Sequence, residues 1–158
     1  MSFHFDFADI YPKYKPRVIR DVNPRLSNPN NIRLLTPVSF LQEGEDHIHS
    51  VDMLERARRI NANLGQHDLE FLFRYQECIP SEWHFQLVAP GTVWEETKHE
   101  GESTSKKLRR AGLSWLNLRV CFVPVLCWEG DGWAFDFRSL SLSWGGISRL
   151  LSRPAKKL

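Results

Sequence analysis

The string Glu43-Gly44-Glu45-Asp46-His47-Ile48-His49 carries the residue types that bind metals. In extended chain a His-x-His puts both imidazoles on one face, with carboxylates beside them. A zinc site needs three or four converging ligands with ordered support, so His67, His84 or His99 would have to complete it. Neither a His-Glu-x-x-His helix nor paired-cysteine spacing accompanies the string. It therefore reads as a solvated acidic loop ahead of a helix, and no metal or other cofactor is expected. Cys78 could act as a nucleophile only as thiolate, which its neighbours Glu77 and Glu82 disfavour. Glu95 and Glu96 point to opposite faces of a strand, and Asp131 lies in a turn away from Asp136, so neither pair forms an acid/base couple. Gly145-Gly146 lacks the context of a phosphate-binding loop, and no Gly-x-Ser-x-Gly elbow occurs. No catalytic residue is assigned, and the expectation is a protein that is not an enzyme.

Charge is more informative. Residues 1–40 carry 6 basic and 3 acidic groups, residues 41–102 carry 5 and 13, and residues 103–158 carry 10 and 3. A net +2 thus hides an acidic middle of −8 and a final third of +7. The cations of that third gather in Lys106, Lys107, Arg109 and Arg110, with Arg119 behind them and Arg149, Arg153, Lys156 and Lys157 towards the end. A basic loop over 104–119 together with this tail can neutralise phosphates without reading bases, and exposed Trp or Phe on a sheet can stack on single-stranded bases. The function expected is a small binding module for nucleic acid or a nucleoprotein. The same split also fits a basic part that balances the acidic middle within one fold.

These residues need elements to hold them. A chain of 158 residues supports one domain, and its 42 % hydrophobic content with six Trp and ten Phe supplies a core. Residues 1–45 read as an extended arm, interrupted by Pro12, Pro16, Pro24, Pro29 and Pro37. Phe3, Phe5 and Phe7 alternate with polar residues there and predict a short strand or β-addition to a sheet edge. An arm so aromatic could instead dock another protein through residues 1–40, the alternative function.

Residues 46–158 read as one α+β domain. Met53, Leu54, Ala57, Ile60 and Leu64 recur at helical spacing, with Ser50 as N-cap and Gly65 at the C-terminal stop. A second helix is predicted over Asp68–Glu77, ended by Pro80, so helices occupy about 50–78 as a hairpin covering one sheet face. Strands fill about 84–150: His84–Val88, Gly91–Trp94, a long one from Leu116 to Trp128, its return from Trp133, and a last over Leu140–Trp144. Pro124 cannot donate to a ladder and requires an edge or a bulge. Glu129-Gly130-Asp131-Gly132 is the hairpin turn that brings Trp128 and Trp133 together. The architecture expected is a twisted antiparallel sheet or a small open SH3-like barrel.

Ile79-Pro80-Ser81-Glu82-Trp83, Gly91-Thr92-Val93-Trp94, Val123-Pro124-Val125-Leu126-Cys127-Trp128, Gly130, Trp133 and Trp144 together resemble a pattern in short uncharacterised proteins of reduced-genome candidate-phyla bacteria. The resemblance spans Leu69 to Leu151, about half of the chain, and departs from the pattern in the polar stretch Lys98–Gly112. It implies a bacterial cytosolic protein with a β-rich domain after a helix and assigns no functional residue. Three cysteines without disulfide spacing, no signal-like N-terminus and no run of roughly 18 apolar residues agree with a cytoplasmic, non-membrane protein.

Overall fold

Pro124 marks the place from which the architecture can be built. In this computed structural model, which describes residues 5–11, 16–96 and 121–153, it sits inside the central strand β6 (Cys121–Trp128). Here β1 is Pro16–Arg20, β2 Thr36–Val38, β3 His47–Ile48, β4 Gln86–Val88, β5 Val93–Glu96, β7 Trp133–Ser139, β8 Trp144–Gly145 and β9 Ser148–Ser152. Along one side β6 pairs with β7 from Trp128↔Trp133 to Phe122↔Ser139, around a turn in which Gly130 takes a φ of 93°. The two tryptophan rings meet edge-on at 5.5 Å, as expected. Along its other side β6 pairs first with β4 and then with β5, both antiparallel. Between them Ala89–Thr92 leaves the ladder opposite Pro124, whose carbonyl still accepts the Ala89 N–H at 3.1 Å. The missing N–H thus faces a break in the partner strand, which is the bulge that a central proline demands.

Beyond this break the sheet forks. One branch adds β9 to β4 and β2 to β9; the other adds β1 to β5. The result is an α+β fold around a curled, open, mixed sheet, with seven strands among the described residues and a separate β3–β8 pair. It departs from the all-antiparallel expectation at β4–β9, which run parallel. β9 itself was not expected as a strand, whereas Leu140–Ser143, expected to be one, forms a turn.

The helices α2 (Ser50–Arg59) and α3 (Gln66–Arg74) do not share a sheet face as expected. Met53 and Ala57 pack with Val88, Val125 and Leu150, whereas Leu69 and Leu72 pack with Leu87, Leu126 and Leu151. Each strand contributes neighbouring residues to the two clusters, and neighbours on a strand face opposite ways. One helix therefore covers each face, and the connector between them passes through the fork: Ala62 belongs to one core and Leu64 to the other. Gly91 makes the passage possible, donating its N–H to the Leu64 carbonyl at 2.9 Å. A Cβ there would lie 2.3 Å from the Asn63 carbonyl oxygen. Backbone cannot rotate aside, so Gly91→Ala is expected to destabilise by about 1–3 kcal/mol. A denaturant midpoint equal to the parent's would refute this.

Local stops differ from expectation in two places. Asn61 (φ 54°), not Gly65, takes the left-handed conformation that ends α2, which asparagine tolerates. Gly65 is extended and precedes α3. Ser50 begins α2 instead of capping it, and its hydroxyl accepts the indole N–H of the fully buried Trp144 at 2.6 Å. Nearby, Arg56 bonds the Phe40 carbonyl at 2.8 Å and grips both carboxylate oxygens of Glu45. Those guanidinium bonds, aided by the Gln42 N–H, pull the Glu45 carboxyl down to about 2. Because the folded value is depressed, the pair stabilises the fold above the ordinary 4.5 and is lost as pH falls from there through about 2. Carboxyl NMR should follow Glu45 to about 2 in the parent and return it to 4.5 in Arg56→Met.

The arm is part of this body. Phe7–Ile10 forms a single helical turn, α1, capped by Asp6 accepting the Ala8 N–H at 2.8 Å, so the expected strand does not extend through Phe7; its start at Phe3 lies outside the described residues. β-Addition occurs further along, through β1 and β2, onto the chain's own sheet. Phe7 inserts between Phe122, Phe137 and Trp94, while Phe5 stacks on Phe135 at 4.2 Å.

Candidate functional site

β1 carries Arg17 and Arg20, three residues apart, which an even strand would send to opposite faces. A register shift between Val18 and Arg20 changes this: Arg17 pairs with Glu95 and Arg20 with Val93. Since Val93 and Glu95 share a face, so do the two arginines. Opposite them α2 presents Val51, Leu54, Glu55 and Arg58, one stripe at spacings of three and four beside its core-facing Met53 and Ala57. Between α2 and the β1–β5 branch lies a cleft of about 720 Å³. Val18, Ile19, Val51, Leu54, Val93 and Leu140 give it apolar walls. A groove continues past Arg20, Leu54 and Arg58 to Asn63 and Pro90 at the fork.

The electrostatics divide the cleft. Glu95, almost wholly buried at the inner end, accepts Nε and Nη2 of Arg17 at 3.0 and 2.8 Å. Cys121 beside it is buried, and that burial, reinforced by the Glu95 charge, pushes its thiol up to about 12. The inner end thus holds a compensated pair and a neutral thiol. At the rim Glu55 bonds Arg59 at 2.6 Å. Among the described residues Arg20 and Arg58, both exposed, have no acidic partner, leaving two uncompensated guanidiniums at the mouth.

The expected site residues fall elsewhere. Lys106, Lys107, Arg109, Arg110 and Arg119 lie outside the described residues, as do Lys156, Lys157 and the first part of the long strand, Leu116 to Val120. Arg149 lies across from Leu87, on the α3 face of the sheet and away from the cleft. Its guanidinium sits 4.7 Å above the Phe85 ring and donates to the Ser148 and Gly146 carbonyls. Arg153 follows β9, and its carbonyl accepts the Ser152 hydroxyl at 3.3 Å. The structure does not bring Arg149 together with Arg20 and Arg58.

Of the tryptophans with described surroundings, Trp83, Trp94, Trp133 and Trp144 are buried and only Trp128 is half-exposed, under a His84 ring stacked at 5.2 Å. His47 pairs with Gly145 and His49 precedes α2; His67 lies between Asp21 (3.7 Å) and Glu70 (3.5 Å), but among the described residues no group of three or more His, Cys, Asp or Glu side chains is arranged to hold a metal ion. Sequence reasoning missed Arg17, Arg20 and Arg58. Arg58 was visible as a cation on the Val51–Leu54 stripe, but nothing in the local pattern gives the bulge that turns Arg20 towards it.

No family model, curated protein or solved structure matches the chain. Among the described residues no helix is long and apolar enough to cross a membrane.

Proposed function

We propose that the protein is a non-enzymatic binding module that engages nucleic acid in the cytoplasm. The observation that carries this reading is the pair of uncompensated guanidiniums, Arg20 and Arg58, at the mouth of the cleft. Two further features support it. Glu96 and Cys121, which border the basic segment 97–120 in sequence, adjoin or line the cleft. The three cysteines are free thiols, in keeping with a reducing compartment.

The test is binding of fluorescent single-stranded RNA and duplex DNA at about 50 and 200 mM salt. Four neutralised phosphates on a single strand predict a loss of roughly 50-fold in affinity across that range. Charge reversal at Lys106, Lys107, Arg109 and Arg110, or at Arg20 and Arg58, should weaken binding further. Absence of binding at the lower salt, or binding indifferent to both sets of reversals, would overturn the proposal.

A further inference from the structure

The cleft combines features that one class of nucleic acid satisfies better than another. Its volume of about 720 Å³ lies within the usual range for enclosing a small organic ligand. Its uncompensated charge lies at the mouth, on Arg20 and Arg58, while the interior behind them is walled by Val51, Leu54, Val93 and Leu140. A duplex offers phosphates on its outside but keeps its bases stacked within, so it can meet the arginines and leave the apolar interior empty. A single strand carries each phosphate next to a flat base that can be turned out of the stack. We infer that the cleft takes one unstacked nucleotide of a single-stranded nucleic acid, its phosphate on Arg20 and Arg58 and its base between the aliphatic walls.

This inference rests on the proposed function and adds to it the form of the ligand. The inner end suits a neutral base: Arg17 compensates Glu95, and the Cys121 thiol stays protonated. Polar base edges have partners as well. β1 ends its branch of the sheet, so among the described residues no strand takes up the N–H and C=O groups on its outer side. The Glu55 carboxylate stands at the rim.

The experiment uses the full chain and three probes: octauridylate, a duplex of equal length, and laurate, an amphipathic anion that is not a nucleotide. Octauridylate should bind at least tenfold more tightly than the duplex and shift the methyl resonances of Leu54, Val93 and Leu140 in the unaltered protein. Leu54→Trp, which fills the cleft, should weaken octauridylate at least tenfold and leave duplex binding unchanged. Arg20→Glu with Arg58→Glu should weaken both nucleic acids. If the arginine reversals weaken binding but octauridylate moves none of those methyls, the cleft inference fails and the nucleic-acid reading stands. If neither nucleic acid binds, both fail. Laurate moving the methyls while octauridylate does not would overturn the inference in favour of an acyl site.

Discussion

Replacing Asp68 by alanine is expected to lower the unfolding free energy by about 3–5 kcal/mol, close to the limit a small domain tolerates. Asp68 is fully buried in the first turn of α3, and its Oδ1 accepts the N–H groups of Arg25 (2.7 Å) and Leu26 (2.8 Å). Its Oδ2 accepts the Gly65 N–H at 3.5 Å. One carboxylate therefore fastens the strap that follows β1 to the start of a helix more than forty residues later. Alanine would strand these donors away from water, each at about 1–3 kcal/mol. Asparagine keeps Oδ1 as an acceptor but turns an N–H₂ towards the Gly65 N–H, so Asp68→Asn should lose about half as much. Chemical denaturation measures both changes. Amide exchange should accelerate first at Arg25 and Leu26 in Asp68→Ala; equal acceleration throughout the fold would contradict the strap assignment.

Phe7→Ala is the second large effect, about 3–5 kcal/mol. The ring is fully buried and lies 4.6 Å from Phe122, 5.0 Å from Phe137, 4.9 Å from Tyr11 and 6.2 Å from Trp94. The cavity left behind is walled by rigid aromatic rings that cannot collapse into it, which places the cost in the upper part of the usual range. Phe7→Leu should recover more than half of the loss. The alanine variant should also change the near-ultraviolet circular dichroism of Trp94, whose indole N–H donates to Gln66 Oε1 at 2.7 Å beside this cluster. A thermal midpoint within about a degree of the parent's would mean that the arm contributes nothing to the core.

Features set by local pattern were legible in the sequence. The 3.6 period of Met53, Leu54 and Ala57 marked α2, Glu129–Gly132 between alternating aromatics marked the β6–β7 hairpin, and Pro124 announced an edge or a bulge, of which the structure has the bulge. What escaped were relations between segments. His84–Val88 and Gly91–Trp94 read as two separate short strands, yet β4 and β5 lie in line along one edge of β6 and the connector from Asn61 to Gly65 fills the gap. Phe3, Phe5 and Phe7 alternate like a strand, but the Asp6 cap and an aromatic socket formed by distant residues favour a helical turn at Phe7. The cleft escaped for the same reason, because a one-residue register change in β1 is decided by its partner strand and leaves no mark on the spacing of Arg17 and Arg20.

The fork also has a consequence for how the protein is made. β2 lies beside β9, pairing Val38 with Leu150, so the second strand translated waits about 110 residues for its neighbour, roughly 6–20 s at ordinary rates of synthesis. β1 waits for β5 in the same way. On the ribosome the nascent chain therefore carries two unpaired strands, and β1 exposes Val18 and Ile19 as it does so. Arg17 and Arg20 flank that pair, and Pro37 interrupts the donors of β2. Charges and proline at these positions are gatekeepers against intermolecular pairing, protecting the early strands until their own partners emerge.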